Sequence, residues 1–298
     1  MNGSTPIPAS AVAPPIWRDY LTLTKPEISF LVAISALAGF MLGGSAAVDW
    51  LTLMWTLIGV TLTSAGGCAL NHYLERELDL QMKRTASRPL PAGRIAPGSA
   101  LRFGLFLVAA GVGLLCPLTN PLTGILAAAT VALYLFVYTP LKRVSTWNTF
   151  VGTLPGALPA LGGYTAATGT FGMAGWAFFA VLICWQLPHF YALAWMYRSD
   201  YARGGHQMLS VAAPDGRSLR FQVVLFSVLM VAASLVPFLI DAAGLIYAAG
   251  ALLIGIWFFV PVARFHHQMT GVAARGLLKA TVYYIPLLVL LIVVDRLV

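Results

Sequence analysis

The run Asn71-His-Tyr-Leu-Glu75-Arg-Glu-Leu-Asp79 spaces an amide and two carboxylates four residues apart. On a helix that spacing stacks the three side chains along one face. Such a row of oxygen donors suits a hard cation such as Mg²⁺, which takes carboxylates, retained waters and substrate phosphates. The competing reading is a helix end at a membrane surface, with Glu75 and Asp79 solvated or paired to Arg76 and Lys83. A basic stretch follows at once, Lys83-Arg84-Thr-Ala-Ser-Arg88-Pro-Leu-Pro-Ala-Gly-Arg94. Beside a carboxylate row it can hold a diphosphate, lysine acting as a point charge and arginine as a fork. Basic residues also serve in such loops as topology determinants alone.

Two further constellations carry candidate chemistry. Trp185-Gln-Leu-Pro188-His189 leads into Tyr197-Arg198-Ser-Asp200-Tyr-Ala-Arg203, again with a carboxylate after an apolar segment. His189 lies within that segment, where an imidazole needs either a hydrogen-bond partner or a ligand. The other is Tyr138-Thr-Pro-Leu-Lys142-Arg143, a tyrosine and two cations at another segment end. His266 and His267 receive no role.

The elements that must position these residues are membrane helices. Hydrophobic residues make up 59% of the 298 and charged residues 9%, against about 25% charged in an ordinary soluble domain. Apolar segments fall at about 27–44, 51–74, 99–116, 121–139, 147–167, 173–196, 221–240, 243–263 and 277–294, close to the ~20 residues that cross a bilayer as a helix. The weakest is 147–167, with Pro155, Pro159 and four glycines; its Gly152-xxx-Gly156 spacing permits close helix approach. Cys68, Cys116 and Cys184 lie apart within apolar segments, without a metal or disulfide spacing.

The net charge of +8 does not indicate nucleic acid, because the basic residues sit in loops between apolar segments. Of the 18 lysines and arginines only Arg296 falls on one side of the expected bundle. The positive-inside rule therefore predicts a cytoplasmic N-terminus and long loops, and an outer C-terminus. Those long loops are about 75–98 and 197–220, a length usually functional or disordered. Residues 1–25 contain Pro6, Pro8, Pro14 and Pro15 and no basic residue before Arg18, matching neither a secretory signal nor a mitochondrial presequence. The expected organisation is a disordered tail over 1–25 and one membrane domain over 26–298.

Three stretches together resemble a known family. NHYLERELDLQMKRTASRPLPAGRI is similar to the first aspartate-rich motif of the UbiA-type intramembrane prenyltransferases. WQLPHFYALAWMYRSDYARGGHQMLSV and YTPLKRVSTWNTFVGTLPGALPALGGY resemble the second motif and central segment of the heme o synthase branch. The resemblance covers roughly residues 20–220. It implies an all-α bundle of about nine transmembrane helices around a cavity, capped by cytoplasmic loops, in a bacterial inner membrane.

It further implies farnesyl transfer from farnesyl diphosphate to a vinyl group of heme b, with Mg²⁺ as cofactor and heme a synthase as the enzyme that takes the product. Asn71, Glu75 and Asp79 match the first, catalytic metal-binding motif, and Asp200 an acidic position of the second. Lys83, Arg84, Arg88, Tyr138, Lys142, Arg143, Arg198 and Arg203 fall where substrate contacts are expected, and His189 where heme contact is. The sequence departs from the family pattern at Glu75, at His72 and at Met196, four residues before Asp200. The second motif therefore offers fewer ligands than the first. An aromatic or quinone-precursor acceptor is the nearest alternative, and a non-catalytic heme-binding protein or transporter a distant one.

Overall fold

A computed structural model describes residues 15–44 and 47–298, and its regular elements are all helical. In chain order they are α1 (Ile16–Thr24), α2 (Pro26–Gly43), α3 (Trp50–Asp79), α4 (Pro97–Leu118), α5 (Pro121–Ala132), a π-helical turn (Leu133–Tyr138) running into α6 (Thr139–Leu141), α7 (Asn148–Thr168), α8 (Met173–Met196), α9 (Arg198–Arg203), α10 (Leu209–Ala212), α11 (Arg217–Leu239), α12 (Leu245–Gln268) and α13 (Gly271–Leu297). Residues 1–14 of the expected tail lie outside the described residues. The remainder of that expectation is corrected: Ile16–Thr24 is helical, with Leu23 fully buried and Asp19 held by Arg94 Nε at 3.0 and 3.1 Å.

Local chemistry sets the helix starts. Proline, whose missing N–H is no loss in a first turn, opens α2, α4 and α5. Asp49 accepts from the Leu51 and Thr52 N–H groups to cap α3, and Asn120 and Thr270 cap α5 and α13 in the same way. Among the described residues eight helices, counting Pro121–Leu141 as one, are long and apolar enough to span a membrane.

The expected ninth is α7, where Pro155 and Pro159 interrupt the pattern, and it packs against α2, α5 and α8 inside the bundle. A helix surrounded by protein needs small residues more than apolar ones. The Cα of Gly39 meets the Ala160 carbonyl and that of Gly163 the Ala36 carbonyl, leaving no room for a Cβ at either crossing. Side chains such as Phe106, Ile125, Phe136, Phe221 and Leu253 are exposed on the outside, where lipid would cover them.

The bundle is unevenly filled. Its largest hydrophobic core joins α8, α11, α12 and α13, through residues such as Phe178, Leu219, Phe258 and Tyr284. On the other side α2, α3, α5, α7 and α8 surround a cavity instead of a core.

Candidate active site

The cavity has a volume of about 510 Å³ and two chemically different ends. Leu31, Val32, Val60, Leu126, Val131 and Pro159 line its apolar part. Lys25, Asn71, Glu75, Asp79, Arg84, Arg88 and Lys142 line its charged part. The four-residue spacing does what a helix requires: Asn71, Glu75 and Asp79 lie on one face of α3 and all three are buried.

Each member of the row has a cationic neighbour. Lys25 Nζ donates to Asn71 Oδ1 at 3.0 Å, Lys142 Nζ to Glu75 Oε1 at 2.8 Å, and an Arg88 guanidinium nitrogen to Asp79 Oδ2 at 2.8 Å. Burial by itself would lower the pKa of Lys142, but the Glu75 carboxylate and Tyr138 outweigh it and hold the ammonium above its usual range. Burial lowers that of Lys25, with the charges of Arg88 and Lys142 acting the same way. Neither lysine exhausts its three donors on the partners named. An anion entering here meets four cations around two carboxylates.

The π-helical turn brings Tyr134 and Tyr138 onto the same wall, their rings stacked with centroids 5.8 Å apart. Its wide turn is closed by Thr139 Oγ1, which donates to the Tyr134 carbonyl at 2.8 Å and accepts from Asn71 Nδ2 at 3.2 Å. Single π turns of this kind recur at functional sites. Lys142 lies over the Tyr138 ring, 4.6 Å from its centroid.

A second loop closes the charged end. Asp200 accepts from the Arg84 backbone N–H at 3.1 Å and pairs with Arg203. Gln207 N–H donates to the Lys142 carbonyl at 2.7 Å. Arg84 lies over the rings of Tyr197 and Tyr201, and Tyr201, His206 and Met208 face the cavity. Loop and cavity are thus joined as the capping expectation requires.

The remaining candidates divide. Tyr138 and His189 line the cavity. Lys83, Arg143, Arg198 and Arg203 are exposed and do not, and Asp200, although buried, turns toward Arg84 and Arg203. These five are therefore not brought together with the α3 row. Their sequence neighbours are the reason: on a turn, adjacent residues point in different directions, so Arg84 enters the cavity and Lys83 does not. Tyr73, Tyr191 and Trp195 also lie outside it. Tyr73 stacks with Arg76, Tyr191 bonds Gln222, and the Trp195 indole donates to the Met269 carbonyl at 2.8 Å.

Sequence reasoning missed Lys25, Tyr134, Thr139 and Gln186. The Lys25-Pro26 step was the available signal for the first. Lys25 has φ 44°, a left-handed conformation rare for a residue with a Cβ, at the corner between α1 and α2. Gly152 and Gly156, read as packing glycines, do pack, against Tyr138 and Gln186 respectively, and both also line the cavity.

The donor set fits a hard cation in one particular manner. Among the described residues no three His, Cys, Asp or Glu side chains gather closely enough to hold a metal ion. The amide and two carboxylates of the α3 row are hard oxygen donors facing a polar cavity, so an ion bound there needs oxygens from the substrate, as Mg²⁺ commonly does.

The UbiA prenyltransferase family profile matches residues 32–285. The chain is 57% identical over 280 residues, 94% of its length and 99% of the relative's, to the protoheme IX farnesyltransferase of Salinibacter ruber. Its fold is shared by digeranylgeranylglyceryl phosphate synthase, with a TM-score of 0.76 and 18% identity over 94% of this chain and 98% of that one. It is also shared by a UbiA homologue from Archaeoglobus fulgidus bound to GPP and Mg²⁺, with a TM-score of 0.67 and 14% identity over 92% and 99% of the respective chains.

Proposed function

The chain belongs to the UbiA prenyltransferase family, and on that premise we propose that it transfers a farnesyl group from farnesyl diphosphate to a vinyl group of heme b, with addition of water, giving heme o and diphosphate. The observation that carries the reading is a cavity charged at one end and apolar at the other, in a chain so similar to a protoheme IX farnesyltransferase.

Lys25, Arg84, Arg88 and Lys142 hold the diphosphate and stabilise the charge that grows on it as the allylic C–O bond breaks. Asn71, Glu75 and Asp79 are the residues that would hold Mg²⁺, an ion that a UbiA homologue from Archaeoglobus fulgidus binds together with GPP. Bound there, Mg²⁺ supplies Lewis-acid stabilisation of the leaving group. The bonding electrons leave with the diphosphate, and the vinyl π electrons form the new C–C bond to the farnesyl carbon. Water then quenches the cation next to the porphyrin ring and a proton is released.

The apolar walls keep water from the allylic cation before it is captured. Tyr134, Tyr138 and Trp185 line the cavity where that cation forms, each such ring contact being worth about 0.5–2 kcal/mol. His189, on the α8 wall, contacts the heme. The proposed location is a bacterial inner membrane with the charged end at its cytoplasmic face and the C-terminus outside, an orientation that the distribution of basic residues supports. The product there is the substrate of an oxidising enzyme such as heme a synthase.

The test is incubation of the detergent-solubilised protein with heme b, farnesyl diphosphate and Mg²⁺, with 4-hydroxybenzoate as a competing acceptor and an EDTA control. The expected product has the mass of heme b plus farnesyl and one water, and disappears with EDTA. Prenylation of the benzoate alone would overturn the acceptor assignment. Undiminished product in EDTA would overturn the metal assignment.

A further inference from the structure

Three histidines line the cavity, His72, His189 and His206, and they are held differently. Both ring nitrogens of His72, and Nδ1 of His206, are buried without a hydrogen-bond partner. Nδ1 of His189 lies 2.9 Å from Thr281 Oγ1, on α13 and 92 residues further along the chain. Thr281 is fully buried, and its hydroxyl lies 2.6 Å from the Leu278 carbonyl oxygen on the preceding turn.

A hydroxyl has one proton to give, and a carbonyl can only accept. The Thr281 proton therefore goes to Leu278, and Oγ1 is left to accept from His189 Nδ1–H. That assigns the tautomer of the neutral ring and leaves its lone pair on Nε2. The orientation is braced a second time. The Trp185 indole donates to the Thr281 carbonyl at 2.7 Å, and its ring lies against that of His189 with centroids 5.3 Å apart.

A metal-bound histidine characteristically donates its second ring N–H to an acceptor that fixes tautomer and ring direction. His189 has this arrangement and His72 does not. We propose that Thr281 is a positioning residue that holds His189 as the Nδ1–H tautomer, so that Nε2 ligates the iron of the heme acceptor. The proposal rests on heme b being the acceptor. Fixing the iron fixes the macrocycle, and with it the distance from its vinyl group to the farnesyl carbon. No motif in the sequence singles out Thr281, because its role exists only where α13 crosses α8.

The experiment is a titration of the purified protein with ferric heme b, followed by its visible absorption and electron paramagnetic resonance spectra, for wild type, His189→Ala, Thr281→Val and Thr281→Ser. Wild type is expected to show an imidazole-ligated iron. His189→Ala loses that signature and added free imidazole restores it. Thr281→Val keeps the side-chain shape and the backbone carbonyl that Trp185 uses, yet weakens heme binding about 10-fold or more and mixes the ligation states. Thr281→Ser returns both toward wild type.

A spectrum unchanged in His189→Ala would overturn the proposal, as would equal heme binding by Thr281→Val and wild type. Product analysis of the same samples separates the two readings. Farnesylated heme from wild type, with a spectrum indifferent to His189, removes the ligation and leaves the acceptor standing. A protein that neither binds nor farnesylates heme removes both.

Discussion

The C-terminal ends of α3 and α8 both lead to carboxylates and arginines, and the fold uses them differently. At the end of α3 the carboxylates face inward, and the cations that pair with them come from elsewhere: Lys142 from the loop after α6, Arg88 from nine residues downstream. At the end of α8 Asp200 faces sideways, pairing with Arg203 one turn away and with the Arg84 backbone. One end builds the site and the other fastens its cover. Whether a carboxylate is chemistry or carpentry depends on which way its helix face points, and α9 begins a new helix whose face is set independently of α8.

Several substitutions would break or sharpen that contrast. Asp79→Ala is expected to lower kcat by at least about 10²–10³-fold, as loss of a preorganised electrostatic group does, whereas Asp200→Asn keeps turnover within about tenfold of wild type because it loosens only the cover, through its hydrogen bond from Arg84 and its half-exposed ion pair with Arg203. Product formation at saturating Mg²⁺ compares the two; equal losses would abolish the distinction.

Next in size is Lys142→Met. It strands Glu75 in a buried position, and removing one partner of a buried pair costs about 3–5 kcal/mol. Arg143→Met, exposed and away from the cavity, should stay within about 0.5 kcal/mol. Thermal unfolding in detergent measures both. A third pair tests the residues that bind the diphosphate. Lys25→Met should raise KM for farnesyl diphosphate about tenfold, the value of one charge-assisted hydrogen bond, while Lys83→Met should leave it unchanged.

The smallest effect concerns the cover itself. Burial, and then the charge of Lys142, lower the pKa of His206 below its ordinary 6.5. A group with a depressed folded pKa contributes stability above its unfolded pKa and loses it as the pH falls toward the folded one. Melting temperature should therefore decline below about pH 6.5, and His206→Asn should flatten part of that decline. An unchanged slope would show that the ring is not desolvated in the cover.

Legibility followed the range of the interactions. The eight helices long and apolar enough to span a membrane among the described residues, the α3 row and the family could be read from hydropathy, spacing and motif, since each is written in consecutive residues. Even α7, weak in hydropathy, spans Asn148–Thr168 against the expected 147–167, with its glycines spaced for contact. The expected substrate cations divide by position. Arg84, Arg88 and Lys142 reach the cavity while Lys83, Arg143, Arg198 and Arg203 do not, and a basic run cannot say which of its members turn inward. The expected tail failed at Ile16–Thr24, whose helix is kept by a tertiary ion pair from Asp19 to Arg94 and by burial of Leu23.

By itself, then, the sequence determined what depends on composition and local periodicity: a chain too apolar for water, its division into helices, the side bearing its cations, and a face of α3 lined with oxygen donors. Tertiary structure alone decided what depends on helices meeting. It chose Lys25, from a left-handed corner, and Lys142 as the partners of Asn71 and Glu75, brought the π turn's tyrosines onto the cavity wall, and joined Thr281 to His189. Hydrophobicity and helical spacing act within about one turn of chain. A hydrogen bond between helices is fixed by how their surfaces pack, and nothing local encodes it.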